Sequence, residues 1–387
     1  MKLINILFIW LVLFPVLASF ADKSPKGTFP GNDDNYPRPV NVIRIVPHPY
    51  DTNIVYALDE QRGIFKSVDK GNTWTVKNSG LDQLPEILPL GTSLEFFTEL
   101  VVNSVSPDIL YTVKNWLIFK SQDSAETWFF SGKGTESFEY GMTTPFYAIN
   151  EVVTHPTETE IVYAGTVIGG ATGGVFKSTN GGITWTQIAG NNIPGSGIDN
   201  DVSPIVIDPS NPLRMYAGGA HSIIFRSTDG GYHWKSCNPP GVQGGLWTMG
   251  IALNPLNPAE IFMGTYLFSP EETAKTFLSK DYGTSWSEIK QIEGGIQSIQ
   301  FAPSDPKIVY AISRSSNDPF LYKPNPKYTT LYRSEDHGVT WTDLGWHVLR
   351  FQTVAVDLFD PKHIYIGTRH GGIIQSFDGG GTFSFPK

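Results

Sequence analysis

An eight-residue pattern that recurs seven times constrains the fold of this chain more than any other feature. The pattern is Ser-x-Asp-x-Gly-x-Thr-Trp, with single substitutions in some copies, and successive copies start 54, 57, 49, 52, 55 and 42 residues apart. Repeats of this length, with no helical period between them, indicate an array of small β units rather than two or three unrelated domains. The octets begin at Ser67, Ser121, Ser178, Ser227, Ser279, Ser334 and Ser376.

Each octet has the chemistry of a tight hairpin turn. The Asp at position three can accept hydrogen bonds from backbone N–H groups two residues on. The Gly at position five supplies the positive φ that closing the turn requires, and the Trp begins the return strand and buries its ring. Because every copy repeats these residues, we interpret the octet as a folding device. A calcium loop would need more oxygen ligands than one Asp and one Ser.

Two more strands precede each octet, one ending at a Pro-containing turn and one following it, as in Ile43–Pro49 and Ile54–Tyr56. A four-stranded sheet of this size buries both faces only against neighbours. The sequence therefore predicts an all-β fold, a single seven-bladed β-propeller of four-stranded antiparallel blades over residues 41–387. The alternative for seven β repeats is an open solenoid, whose coils are usually shorter and whose ends need caps.

The octets resemble Asp-boxes, also called BNR repeats. The wider unit is similar to the propellers of bacterial sialidases, xyloglucan-degrading glycosidases, the sortilin luminal domain and photosystem II assembly factors. This resemblance implies the seven-bladed fold. It leaves the function open, since those relatives perform unrelated tasks on one scaffold.

The N-terminus has the features of a secretory signal peptide over residues 1–21. Lys2 precedes an apolar run, and Ser19 and Ala21 place small residues before a cleavage point. We expect export to the periplasm or beyond, in a bacterium, with a retained anchor as the alternative, and an irregular lead-in over residues 22–40. The net charge of −9 argues against nucleic acid or anionic membrane as partners. No metal-ligand or phosphate-loop motif is present, so we expect no cofactor.

Connection lengths predict where a binding site lies. The repeats differ in length. All the residues beyond the shortest repeat fall in the connections between second and third strands and in those from a fourth strand to the next first strand. Both kinds of connection emerge on the face opposite the octets. Loops that elaborate one face of a rigid scaffold usually carry binding residues. His48 and His155 are predicted turn residues of the other face. The candidate ligand-binding residues are Trp116, Tyr147, Trp247, Trp346, Arg44, Arg350, Arg369 and His370.

These aromatic and charged groups suit a sugar or an extended peptide. We expect a non-catalytic binding or scaffold propeller that recognises a glycan, peptide or protein partner. The alternative is a glycoside hydrolase, which would need two carboxyls across a sugar bond, with Asp199, Asp201 and Glu151 as candidates. The sialidase resemblance offers only an interrupted Arg-Ile-Pro, Arg44-Ile45-Val46-Pro47, with Arg350 and Arg369 as the other two arginines of a carboxylate grip. A role in photosystem assembly is a third possibility.

Overall fold

Seven antiparallel β-meanders follow one another along the chain and form the blades of a ring. The computed structural model describes residues 39–83, 96–135, 148–167, 173–190, 193–198, 201–219, 224–242, 246–267, 274–314, 329–346 and 351–384. Within them, six sheets have four strands and the seventh has three strands plus a single bridge between Gln375 and Ser384. The predicted all-β, seven-bladed propeller is confirmed.

The strands occur in the same order in every blade. The first strands are β1 Val42–Pro47, β5 Phe97–Val102, β9 Ile149–Thr154, β13 Val202–Ile207, β17 Leu246–Asn254, β21 Gly295–Phe301 and β25 Phe351–Val356. The second strands are β2 Val55–Asp59, β6 Leu110–Lys114, β10 Val162–Thr166, β14 Met215–Gly219, β18 Asn257–Leu267, β22 Val309–Arg314 and β26 Ile364–Thr368. The third strands are β3 Gly63–Ser67, β7 Leu117–Ser121, β11 Val175–Ser178, β15 Ile224–Ser227, β19 Thr276–Ser279, β23 Thr329–Ser334 and β27 Gly372–Ser376. The fourth strands are β4 Thr75–Val76, β8 Phe129–Phe130, β12 Thr186–Ala189, β16 Trp234–Ser236, β20 Ser287–Glu288 and β24 Thr342–Asp343.

The hydrophobic core is divided among the gaps between blades. In β2, β6, β10, β14 and β26 every residue is buried, because these strands are covered by a neighbouring blade on each side. The cluster between the first two blades joins Tyr56 and Ile64 to Leu110, Phe119 and Trp128. A comparable cluster fills each of the other six gaps among the described residues. Each blade is thus stabilised by burial against both neighbours.

The octet is closed by its own side chains, in the same way in all seven blades. In the first copy, Ser67 Oγ accepts the N–H of Gly71 at 2.7 Å and donates to Asp69 Oδ1 at 2.7 Å. Asp69 accepts from the N–H and the hydroxyl of Thr73, four residues on, at 2.8 and 2.6 Å. The Asp therefore contacts residue seven, whereas the sequence chemistry predicted residue five, whose N–H belongs to the Ser. In the fifth copy the Ser285 hydroxyl and N–H lower the pKa of Asp281 to about 2.

Two consecutive octet residues, at positions four and five, have positive φ. Position five was predicted to need this conformation and is Gly in six copies, but in the second copy it is Ala125, at φ 72°. Position four was not predicted, and there Lys70, Ser124, Tyr282 and His337 adopt φ values near 60°. The left-handed region costs about 1–2 kcal/mol for a residue with a Cβ atom, so these turns carry strain that the octet hydrogen bonds offset.

The turns between first and second strands repeat a second device. His48 Nδ1 accepts the N–H groups of Tyr50 and Asp51 at 3.2 and 3.0 Å, and His155 in the third blade accepts the N–H groups of Thr157 and Glu158 in the same way. Asn103, Asp208, Asn254 and Asp357 accept equivalent pairs of N–H groups with a side-chain oxygen. Both histidines are therefore turn residues, as predicted.

Side chains of one blade reach the octet of the next and close the ring. Lys120 Nζ donates to the carbonyl of Gly181 at 2.7 Å, and Lys66, Arg226 and Arg333 make the equivalent bond from their blades. Gln375 in the last blade donates to Gly71 O of the first at 2.9 Å. The seventh core cluster, with Val42 and Phe65 packed on Tyr365, fills the same gap. Closure therefore uses an inter-blade core cluster and a side-chain contact of the type that Lys66, Lys120, Arg226 and Arg333 make at four other junctions.

The meander gives the ring two chemically different faces. The octets and the seven turns between first and second strands, residues 48–54, 103–109, 155–161, 208–214, 254–260, 302–308 and 357–363, form the octet face. The connections from second to third strands and from one blade to the next form the loop face. All internal segments outside the described residues belong to connections of the loop face. No helix in the described part of the chain is long and apolar enough to cross a membrane.

Candidate functional site at the axis

Each first strand carries a β-bulge at the same place, near its loop-face end. The register shifts between Val42 and Arg44 in β1 and between Phe97 and Glu99 in β5, and the other five first strands shift at the equivalent residues. A bulge re-aims a side chain that regular pairing would fix. First strands line the axis of a propeller. The residues that follow the bulge are Arg44, Glu99, Glu151, Pro204, Gly250, Ser298 and Thr353.

Three consecutive blades therefore bring charged groups to the axis. Arg44 Nε lies 3.0 and 3.2 Å from the two carboxylate oxygens of Glu99, and Arg44 Nη2 lies 3.0 Å from Oε2. This two-point geometry is the strong form of an Arg–carboxylate pair. The Glu99 charge is the largest cause of the raised pKa of Arg44. The Arg44 side chain is 44% exposed and that of Glu99 only 9%, so the guanidinium is the accessible member of the pair.

Glu151 is the buried third member of this group. Its Oε2 accepts the N–H of Ile205 at 2.8 Å and the hydroxyl of Ser203 at 3.1 Å. Burial, and next the negative charge of Glu99, raise the pKa of Glu151 to about 8, against the opposing effects of Arg44 and the two hydrogen bonds. At neutral pH Glu151 is therefore mainly protonated.

On the remaining side of the axis, the described first-strand residues that follow the bulge are uncharged. Gln297 Nε2 donates to the carbonyl of Phe351 at 2.6 Å, and Ser298 Oγ accepts the N–H of Val354 at 3.1 Å. Gln352 Nε2 reaches Asn41 Oδ1 at 3.2 Å across the junction of the last and first blades. Gln297 and Ser298 thus bind backbone groups of the adjacent blade and Gln352 binds a side-chain amide, and the charged groups of the axis among the described residues are Arg44, Glu99 and Glu151.

The structure brings only two of the predicted site residues into this group, Arg44 and Glu151. Asp201 lies just before β13, at the loop-face end of the fourth blade, and is half-buried. Asp199, Tyr147 and Arg350 lie outside the described residues. The structure places Glu99 close enough to Glu151 for its charge to raise the pKa of Glu151, whereas the pair Asp199 and Asp201 stays a prediction because Asp199 lies outside the described residues.

The other predicted residues lie on the loop face or beside it. Trp116 is in the turn between β6 and β7 at φ 66°, with its ring edge-on to Phe96 at 4.8 Å. Arg369 and the exposed His370 form the turn between β26 and β27. Trp247 lies in β17, paired in register with Tyr266.

Trp346 packs against the last octet. Its Nε1 donates to Gly380 O at 2.8 Å, and its ring lies edge-on to Phe383 at 4.9 Å. Through these contacts the Trp346 ring forms part of the core between the sixth and seventh blades.

Glu99 was missed by reasoning on loops. It lies inside a strand, as the third residue of Phe97–Val102, and the candidates came from the connections, the strand ends and the sialidase resemblance. The sequence contains a pattern that could have identified Glu99, because Arg44, Glu99 and Glu151 are spaced 55 and 52 residues apart, close to the octet spacing. Aligning the first strands of the repeats, instead of their connections, would have placed all three at one position of the blade.

Comparison with known proteins finds similarity of fold only. No protein-family model matches the chain, and no curated protein matches its sequence. Among solved structures, a GH74 xyloglucanase from Xanthomonas campestris is similar with a TM-score of 0.65 and 16% identity, covering 89% of this chain and 52% of that one. This chain thus spans about half the length of the GH74 enzymes it resembles.

Two further structural neighbours have other functions. The structure of YCF48 bound to D1 peptide has a TM-score of 0.57 and 12% identity, covering 88% of this chain and 94% of that one. The extracellular domain of a putative one-component system from B. thetaiotaomicron has a TM-score of 0.55 and 11% identity, covering 87% and 38%. At these identities the similarity establishes the propeller and leaves the function to the site itself.

Proposed function

We propose that this protein is an exported, non-catalytic binding or scaffold propeller that recognises its partner on the loop face, around Arg44. The partner is a glycan, a peptide or another protein that presents a carboxylate or a carbonyl oxygen at the axis. Loops on a rigid scaffold commonly carry recognition, and a planar guanidinium is suited to two-point recognition of such acceptors.

The exposed side of Arg44 is the observation that supports this proposal best. Among the described residues, one N–H of Arg44 on Nε and one on Nη2 are directed to Glu99, and one on Nη1 is directed to Ile43 O. Two of its five N–H groups remain for a ligand. Glu99 holds the guanidinium in place, which lowers the entropic cost of binding an acceptor.

The similarity to YCF48 in complex with a peptide supports a peptide or protein as the partner. The signal-peptide pattern over residues 1–21 supports export, as does the similarity to an extracellular bacterial domain. The proposed domain organisation is a signal peptide, a lead-in over residues 22–40 and the propeller, with the octets acting as Asp-boxes that close its turns.

Glycoside hydrolysis is the second candidate, and one observation favours it. Glu151 has its pKa raised to about 8 beside the carboxylate of Glu99, and a protonated acid next to a carboxylate is the pairing that glycosidases use. Two facts oppose it. Both oxygens of Glu99 are within hydrogen-bond distance of Arg44, and both carboxyls are buried, at 7% exposure each.

The test compares binding and turnover on the full mature chain. The wild type, the double variant Arg44→Gln with Glu99→Gln, and Lys362→Gln are applied to a glycan array and a peptide array. The double variant removes the guanidinium without leaving an unpaired buried carboxylate, and Lys362→Gln removes one positive charge from the octet face as the matched control. We expect the double variant to lose binding at least about tenfold, equivalent to 1.4 kcal/mol, and Lys362→Gln to retain it.

Fluorogenic glycosides distinguish the enzyme from the binding protein. The proposal expects no turnover by the wild type. Hydrolysis that is abolished by Glu151→Gln would establish the glycosidase instead, and array binding that the double variant retains would remove Arg44 from the site.

A further inference from the structure

The octet face carries the exposed apolar side chains of the described structure. Twelve large apolar residues are exposed there, and eleven of them lie in the octets or in the turns between first and second strands. The twelfth, Phe129, directly follows an octet. Single exposed apolar residues need no explanation, but this number of them within the described part of one face is typical of an interaction surface. The most exposed are Leu256, Phe359, Ile183, Tyr50 and Val68, between 64% and 74%.

A cavity opens at the centre of this face. It lies where the first strands of the third, fourth and fifth blades end, and its volume is about 310 Å³. Its walls include Val153, Val206, Ile207 and Leu253, and Pro209 and Pro255 stand at its rim. This volume is at the lower end of the range for ligand pockets. It suits one or two apolar side chains of a partner better than a free cofactor.

The same face is strongly acidic. The seven turns contain nine Asp and Glu residues and three Lys and Arg, and the seven octets contain eight and two. Adding the five third-strand cations that precede the octet serines (Lys66, Lys120, Lys177, Arg226 and Arg333) still leaves seventeen acidic residues against ten basic ones. The apolar side chains therefore stand in a negative field, which selects among partners.

We propose that the octet face is a second docking surface, which binds a polypeptide segment rich in Lys or Arg with large apolar side chains between them. An apolar side chain enters the cavity beside Leu253, and Leu213 and Leu256, in the turns that follow β13 and β17, pack against its neighbours. The basic side chains meet the acidic turns, among them Glu158 and Glu160. Charge complementarity excludes an anionic membrane, and it disfavours a second copy of this chain, whose octet face is equally acidic.

The probe is a fluorescent dodecapeptide of Lys, Leu and Trp, whose anisotropy is measured with the mature protein. The matched probe replaces every Lys by Glu. We expect the basic peptide to bind, with an affinity that falls as ionic strength rises, and the acidic peptide to bind at least tenfold more weakly. Equal binding of both peptides, or binding of neither, would overturn the proposal.

Variants locate the binding on the surface. Leu213→Ser with Leu256→Ser removes exposed side chains from the two turns at the cavity, and we expect affinity to fall about tenfold. Phe359→Ser with Phe377→Ser removes the same number of exposed apolar residues from the last blade, away from the cavity, and should change affinity less than twofold. Circular dichroism and Tm confirm that both double variants are folded.

Three outcomes would place the peptide elsewhere or identify another occupant, and each would overturn the proposal. The first is equal loss in the two double variants. The second is loss in the Arg44→Gln, Glu99→Gln variant, which would place the peptide at the loop face. The third is concentration-dependent dimerisation that is abolished by Leu213→Ser with Leu256→Ser, which would identify a second copy as the occupant. Failure of this test leaves the loop-face proposal intact, because the two surfaces share no residue.

Discussion

The loop-face end of the axis and the octet face differ in how the seven repeats contribute to them. At the loop-face end, equivalent positions hold Arg44, Glu99 and Glu151 followed by Pro, Gly, Ser and Thr, so one side is charged and the other neutral. On the octet face, all seven blades repeat Ser in the turn and six repeat Gly, and the same hydrogen bonds close each copy. The residues that close the octet turn are the same in nearly every repeat. The residues at the loop-face end of the first strand differ from blade to blade, so charged groups lie on one side of the axis there.

This contrast predicts that the ion pair of Arg44 and Glu99 stabilises the loop-face end of the axis, so that removing one of its charges should destabilise the fold. Arg44→Gln should lower the free energy of unfolding by about 2–3 kcal/mol, because it leaves Glu99 buried without its cation. The loss is below that of a wholly buried pair, since Arg44 is 44% exposed. Urea denaturation at pH 7 measures it. Adding Glu99→Gln should recover most of the loss, and a single variant as stable as the wild type would show that the ion pair does not hold this end.

The octet face should depend on the hydrogen bonds that close each octet, and losing one of them should cost almost as much stability as losing the ion pair. Ser227→Ala removes the acceptor of the Gly231 N–H, at 3.0 Å, and the donor to Asp229. Because this N–H is buried, we expect a loss of about 2 kcal/mol. Thr228→Ala, at the exposed next position of the same octet, is the control and should be neutral. If the two variants lose equal stability in urea, the octet hydrogen bonds are not what holds the turn.

The pH dependence should separate the two ends. The pKa of Glu151 is raised to about 8 from an ordinary value of 4.5, so the folded state holds this proton more tightly than the unfolded chain. The resulting stability is full below about pH 4.5 and is lost as the pH rises through 8. Glu151→Gln cannot ionise and keeps an oxygen for the Ile205 N–H. It should be more stable than the wild type at pH 9, by up to about 1.4 kcal/mol for each unit by which the pKa is raised, and most of the advantage should disappear at pH 5. A Tm difference that is constant with pH would contradict this assignment.

The smallest effect is expected where one octet departs from the repeat. Ala125 lies at φ 72° where six copies have Gly, and the strain of about 1–2 kcal/mol is partly offset because Gly is more flexible in the unfolded chain. Ala125→Gly should therefore stabilise by about 0.5 kcal/mol, measured by chemical denaturation. The reverse change at the equivalent position, Gly182→Ala, should destabilise, since its Cβ would lie 2.7 Å from Ser131 Oγ.

Much of the architecture could be predicted because repetition makes local chemistry visible. Seven octets, an apolar second strand and a Pro-containing turn gave the blade, the number of blades and the position of His48 and His155. The partner of Asp69 was predicted wrongly, because the hydrogen bond skips to Thr73 and depends on two consecutive left-handed residues. The site was only half predicted. Arg44 was a candidate through the sialidase resemblance and Glu151 as a carboxyl for a glycosidase, and Glu99 was not among the candidates.

By itself the sequence determined the seven-fold repeat, the meander of each blade and the side on which loops vary, because these follow from turn residues and spacings within one unit. Only the tertiary structure decided that Arg44, Glu99 and Glu151 meet at the axis, that Gln375 closes the ring on Gly71, and that exposed apolar side chains gather on an acidic octet face. Those contacts join residues 50 to 300 positions apart. They exist because closing a ring brings equivalent positions of separate repeats into contact, and the register of each bulge fixes which side chains face inward.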